Sequence, residues 1–270
     1  MLPNIHELAR LVKDVAQQEL RPRFKSVRQR VKQDGTVLTE ADLAMDRRLK
    51  EALAQRWPGI PFLSEEMRAD EQNALLQDVQ GPVWCVDPLD GTSNFAAGLP
   101  FYAVSLALIA DAAPVLGLVY DPERDECFSA LKSTGAWLNG NQLVAKRFDL
   151  PLNRTVALVD FKRLQPKLAS ALARDPPYGS QRNLGACALE WAWIAAGRGH
   201  IYLHGGQKLW DRAAGALVLS EASGCAATLD GTSFLEPTLR TTAVVASGDP
   251  DLFADWRDWI TQASRGANQN

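Results

Sequence analysis

Apolar residues follow two rhythms along this chain, one of helical period and one of strand period. They recur at helical spacing over residues 5–20 and again after Thr39 through about Arg56, which predicts two amphipathic helices. Short apolar runs at 61–64 and 83–86 predict buried strands, with an acidic helix from Glu65 to roughly Gln77 between them. Residues 101–110 and 115–119 flank Asp111-Ala112-Ala113-Pro114 and predict an antiparallel pair. Next come a strand at 155–159, a helix over about 186–196, a strand at 200–203 and a helix from Asp211. Residues 241–246 close the sheet pattern, and a Trp-rich amphipathic helix covers 252–260. Helices and strands in mixed order, with antiparallel neighbours, predict layers of helix on sheet.

The chemistry concentrates in Trp84-Cys85-Val86-Asp87-Pro88-Leu89-Asp90-Gly91-Thr92-Ser93-Asn94-Phe95. Pro88 has no backbone N–H, which argues against a central strand continuing through it and holds Asp87 extended. A strand that ends on an acid and passes into Asp-Gly-Thr-Ser gathers oxygens and bare amides around one point. Hard divalent cations take oxygen ligands, and phosphate takes backbone N–H groups. Ordinary turns also use Asp-Pro and Asp-Gly, so the stretch gains its meaning from its company. Glu65-Glu66 follows the strand at 61–64, where two adjacent carboxylates repel unless a cation or solvent separates them, or open the acidic helix. Trp210-Asp211-Arg212-Ala213-Ala214-Gly215 places Asp211 near a helix N-cap, and its small residues permit a very close helix contact. Thr39 and Asp42 fit a capping box.

In this order, Leu38-Thr39-Glu40-Ala41-Asp42, the Glu-Glu strand end, Asp-Pro-Leu-Asp-Gly-Thr-Ser-Asn-Phe and Trp-Asp-x-Ala-Ala-Gly resemble the inositol monophosphatase family. The matches run from about residue 38 to 215, and the two longer motifs are specific together. The resemblance implies an α/β fold of the α+β type, an αβαβα sandwich with mixed and antiparallel sheets. It implies a Mg2+-dependent phosphomonoesterase with two or three ions. Carried over residue by residue, Glu65, Asp87, Asp90, the Leu89 carbonyl and Asp211 would hold the metals, with Asp42 in the outer part of the site. Gly91 and Thr92 would offer backbone N–H groups to phosphate, and Thr92 with Glu65 would activate the attacking water. The chemistry needs no histidine or cysteine ligand, and His6, His200 and His204 have no zinc-like spacing. There is no Gly-x-Ser-x-Gly elbow, no phosphate loop of the Gly-x-x-x-x-Gly-Lys type and no Cys-x-x-Cys.

The chain departs from the family pattern at one telling place. Inositol-specific members carry a glutamate seven positions before the Trp-Asp aspartate, where it holds substrate hydroxyls, and here that residue is His204. An imidazole does not replace an acceptor-only carboxylate. His204 and Lys208 are read either as a solvated loop or as contacts for a second anionic group on the substrate. Arg182 and Asn183, before the helix at 186–196, are candidates for the alcohol portion, and Arg182 equally for a structural or inter-subunit pair. Three functions follow: an inositol monophosphatase or similar polyol phosphatase; a 3′(2′),5′-bisphosphate nucleotidase or sugar bisphosphatase; and an interaction or RNA-associated protein of the same fold.

Composition bounds these readings. The chain has 270 residues, 46% of them hydrophobic, and shows no repeat or low-complexity linker. We expect one domain over 1–270 in two tightly joined halves, about 1–150 and 151–263, with a polar tail at 264–270. A formal charge of −3 does not fit a general nucleic-acid binder. Against that stands one basic run, Arg21, Arg23, Lys25, Arg28, Arg30 and Lys32, whose default reading is a solvated surface, with Lys32 a candidate for the loop that approaches the metals. Scattered cysteines at 85, 127, 187 and 225, no secretory pattern and no bilayer-length apolar run lead to an expected cytoplasmic, soluble protein with no membrane partner. The resemblance adds a homodimer and a small phosphorylated substrate.

Overall fold

A computed structural model describes residues 2–25, 29–31, 37–78 and 81–265. Arg28 and Lys32 of the basic run lie outside the described residues, as does the tail from 266 onward. Eight helices are found among the described residues: α1 (Ile5–Glu19), α2 (Glu40–Arg56), α3 (Ala69–Asp78), α4 (Thr92–Ala97), α5 (Pro166–Arg174), α6 (Cys187–Ala195), α7 (Leu209–Glu221) and α8 (Pro250–Arg265). A small ribbon pairs β1 (Gln29–Val31) with β2 (Val37–Thr39). The first large sheet runs in spatial order β3 (Phe62–Ser64), β4 (Val83–Asp90), β5 (Ala103–Ala110), β6 (Ala113–Asp121), β7 (Glu126–Leu131), β8 (Gly135–Leu138) and β9 (Asn141–Leu143). Only its β3–β4 pair is parallel. The second sheet contains β10 (Val156–Asp160), β11 (Ser180–Arg182), β12 (Ile201–Gln207), β13 (Cys225–Thr228) and β14 (Thr242–Ser247), in the order β11-β10-β12-β14-β13. β11, β10 and β12 are parallel, and β14 is antiparallel to both of its neighbours.

Strand alternation sorts the core into layers, because successive side chains point to opposite faces. Trp84 and Val86 of β4 join Leu106 and Leu118 beneath α1 and α2, packing against Leu8, Val12, Met45 and Leu49. Val83 and Cys85 face the other way, into a middle layer with Trp191 of α6, Leu217 of α7 and Tyr202 and Val244 of the second sheet. The far face of that sheet, with Val159, Leu203 and Val245, is covered by Leu168 of α5 and Trp256 of α8. The order is helix, sheet, helix, sheet, helix, which is the expected αβαβα sandwich. Among the described residues, no helix is long and apolar enough to cross a membrane.

Several elements differ from their sequence expectations for local reasons. β4 continues through Pro88 to Asp90, because a register shift between Asp87 and Asp90 absorbs the missing donor. α3 begins at Ala69 and not at Glu65, since Glu65 N–H bonds to Val86 O and extends the β3–β4 ladder. His204 lies inside β12, 3% exposed, and not on a solvated loop, while Lys208 is exposed. α8 runs through Arg265, into the stretch expected as a tail.

Candidate active site

Four segments distant in sequence converge where β4 ends. At the register shift around Pro88, Asp87 Oδ1 accepts the N–H of Leu89 at 3.0 Å, an Asx turn that aims the carboxylate. Gly91 follows with a φ of 88°. A Cβ there would come within 3.0 Å of Ala186 Cβ and 3.1 Å of Phe101 O, so conformation and space both require glycine. α4 then starts at Thr92, whose Oγ1 lies 2.9 Å from Asp42 Oδ1 and 3.0 Å from Leu89 O. Asp42 itself completes the capping box expected at α2, accepting the Thr39 N–H at 2.7 Å. Asn94 ties the turn to the far side, donating to Phe101 O and Leu184 O at 2.7 and 2.6 Å.

α6 and α7 enter this corner from the second half of the chain. Asp90 accepts the N–H groups of Cys187 (3.0 Å), Ala188 (2.8 Å) and Leu189 (3.4 Å), so an acid on β4 caps α6. Asp211 is the third residue of α7, near the N-cap as expected, where it accepts the N–H of the N-cap residue Lys208 at 2.8 Å. Ser105 of β5 donates to Trp210 O at 2.9 Å and fixes the start of α7 against the first sheet. Glu65, Asp87 and Asp211 each offer a carboxylate oxygen within 4.8 Å of the others.

The electrostatics of the cluster are unfavourable as they stand. Burial, then the charges of Glu65, Asp90 and Asp211, push the Asp87 carboxyl well above its ordinary value. Burial and then Asp211 do the same to Asp90, and burial raises Asp211. Converging acids, Asp87 and Asp90 buried and Glu65 and Asp211 half-buried, are relieved by a cation, and a donor set made only of oxygens suits a hard one. The residues therefore fit the Mg2+ that the sequence motifs imply.

The cleft over the cluster has a volume of about 200 Å3. Glu65, Asp87, Leu89, Asp90, Gly91, Thr92, His204 and Asp211, all singled out from sequence, line it. Asn183 and Lys208 are exposed and do not line it, and Arg182 turns back onto Ser180 Oγ at 2.7 Å. Asp160, Lys162, Arg163 and Cys187 also line the cleft, and sequence reasoning missed them. One signal was present: β10, like β4, is an apolar run that stops on an acid. Ligands in α/β sheets gather at the carboxyl ends of such strands.

Comparison with known proteins places this geometry. Inositol monophosphatase 2 of Solanum lycopersicum is 36% identical over 231 residues, covering 80% of this chain and 83% of the relative. Nus factor SuhB of Haemophilus influenzae is 35% identical over 208 residues, covering 73% and 74%. The fold matches that of an IMPase/NADP phosphatase complexed with Mg2+ and phosphate, with a TM-score of 0.79 at 21% identity over 98% of this chain and 94% of the other. The model of the inositol monophosphatase family matches residues 2–264. The protein is a phosphatase. It belongs to the inositol monophosphatase family.

Proposed function

We propose that the protein is a Mg2+-dependent phosphomonoesterase that hydrolyses a small polyol phosphate, inositol monophosphate in the first place, by direct attack of water. The observation that carries this reading is the convergence of Glu65, Asp87 and Asp211, from three separate segments, with carboxylate oxygens within 4.8 Å of one another. In this reading Glu65, Asp87, Asp90, the Leu89 carbonyl and Asp211 hold two or three ions. Bound Mg2+ supplies charge neutralisation for a dianionic phosphate and makes water more acidic. The N–H groups of Gly91 and Thr92 receive phosphate oxygens. Thr92 Oγ1, with its proton directed to Asp42 or Leu89 O, keeps lone pairs to orient the attacking water. Glu65 takes that water's proton.

The bisphosphate reading is favoured by one observation, the exposed Lys162 and Arg163 on the cleft wall. Phosphate release from inositol 1-phosphate and adenosine 3′,5′-bisphosphate at matched Mg2+ separates the two. Turnover that persists in chelator would sink both.

A further inference from the structure

One wall of the cleft is made by two parallel strands, β10 and β12. Asp160 ends β10, and His204 is its Cα partner on β12. Gly206 N–H donates to His204 Nδ1 at 3.1 Å. A ring nitrogen that accepts carries no proton, so the imidazole proton is on Nε2. Nε2 lies 3.3 Å from Asp160 Oδ2 and 3.4 Å from Cys187 Sγ. His204 thus has no acceptor left for a hydroxyl. Its side chain is 4% exposed against 18% for Asp160, so of these two lining groups the carboxylate is the more open to a ligand in the cleft.

Asp160 is held from both sides. Its Oδ1 accepts the N–H of Lys162 at 2.7 Å, and its Oδ2 faces His204. Each carboxylate oxygen has two acceptor positions, which leaves one on each. The segment after Asp160 lies flat on β12, since a Cβ on Gly205 would fall 2.2 Å from the Arg163 carbonyl carbon. Arg163 Nη1 is drawn onto Gly206 O at 2.9 Å.

We propose that Asp160, oriented by His204, determines specificity by accepting hydrogen bonds from the hydroxyls of a polyol phosphate bound in this cleft. The carboxylate missing at position 204 is thereby supplied from the adjacent strand. The proposal rests on the phosphatase reading above. A second phosphate on the substrate would meet this carboxylate as a like charge.

The test compares inositol 1-phosphate with phenyl phosphate, which lacks neighbouring hydroxyls, in wild type and Asp160→Asn. Loss of hydrogen bonds to a charged acceptor lowers kcat/KM on inositol 1-phosphate about 10- to 100-fold, chiefly through KM. Phenyl phosphate turnover falls much less, because the lost interaction is one that this substrate never makes. His204→Leu raises the same KM, and His204→Gln, which keeps a donor, restores it. Unchanged KM in Asp160→Asn overturns the proposal. So does an equal loss on both substrates in Asp160→Asn and in Asp160→Ser, or a wild-type preference for adenosine 3′,5′-bisphosphate over inositol 1-phosphate. No phosphate release by wild type from any of the three overturns the phosphatase reading itself, and this proposal with it.

Discussion

Gly117→Ala tests whether the contact between α7 and the first sheet sets the geometry of the acid cluster. Gly117 lies on β6 between Ala107 and Ala130, a lane of small side chains. A Cβ added there would stand 2.8 Å from Ala214 O and 3.1 Å from Ala214 Cα, both backbone atoms of α7. Ordinary non-bonded separations begin near 3.5 Å, so α7 must retreat by roughly 0.5–1 Å. Overpacking of this kind costs about 1–3 kcal/mol. Asp211 stands one turn before Ala214 on the same helix, whereas Glu65 and Asp87 sit on the sheet. The retreat therefore opens the cluster, and a misplacement on the order of 1 Å is worth up to about 100-fold in rate. The assays are urea unfolding and a Mg2+ titration of phosphate release. We expect a lower midpoint, reduced turnover and a higher Mg2+ requirement. Because the obstructing atoms are backbone, adding Ala214→Gly does not rescue the variant. A wild-type midpoint, or a lower midpoint with an unchanged Mg2+ titration, would refute the reasoning.

Asp211→Asn lowers turnover by at least about 100-fold while leaving the urea midpoint at or above wild type, because a repelling charge leaves the cluster. Asp90→Asn loses turnover too, but also about 1 kcal/mol of stability, since its amide presents hydrogens to the α6 N–H groups that the carboxylate accepts; equal midpoints for the two variants would contradict this. Mg2+ at about 100 times its Kd raises stability by about 2.7 kcal/mol, and a thermal shift that survives in Asp211→Asn would speak against the assigned ligands. Burial lowers the pKa of His200, whose Nδ1 accepts the Val156 N–H at 2.8 Å, so the neutral ring belongs to the folded state. Its contribution is intact above the unfolded value of about 6.5 and declines as pH falls below it. His200→Gln makes the urea midpoint less dependent on pH between 7.5 and 5.5, and an unaltered slope would remove His200 as the cause.

The layers were legible where burial dictates the pattern. α1, α2, β5, β6 and α6 carry long periodic or continuous apolar stretches, and the sequence boundaries fall close to those observed. β9 and β11 are Asn-Gln-Leu and Ser-Gln-Arg, polar segments that become strands only because β8 and β10 offer them backbone partners. Such pairing is tertiary and leaves no periodicity. α5 escaped notice although Pro166 opens it, a start signal that a short helix makes easy to pass over. The acid cluster was legible because each member sits in a dense local motif. Asp160 was signalled only by its place at the end of an apolar run, because its partner His204 lies on a strand 44 residues away, Cα to Cα in register, and only the fold joins the two into one wall. Substrate selectivity is therefore the part of this protein that a linear motif describes least well. The acid cluster is read along β4 and α7, whereas the choice of alcohol we propose is made across β10 and β12, between residues that acquire meaning only as neighbours.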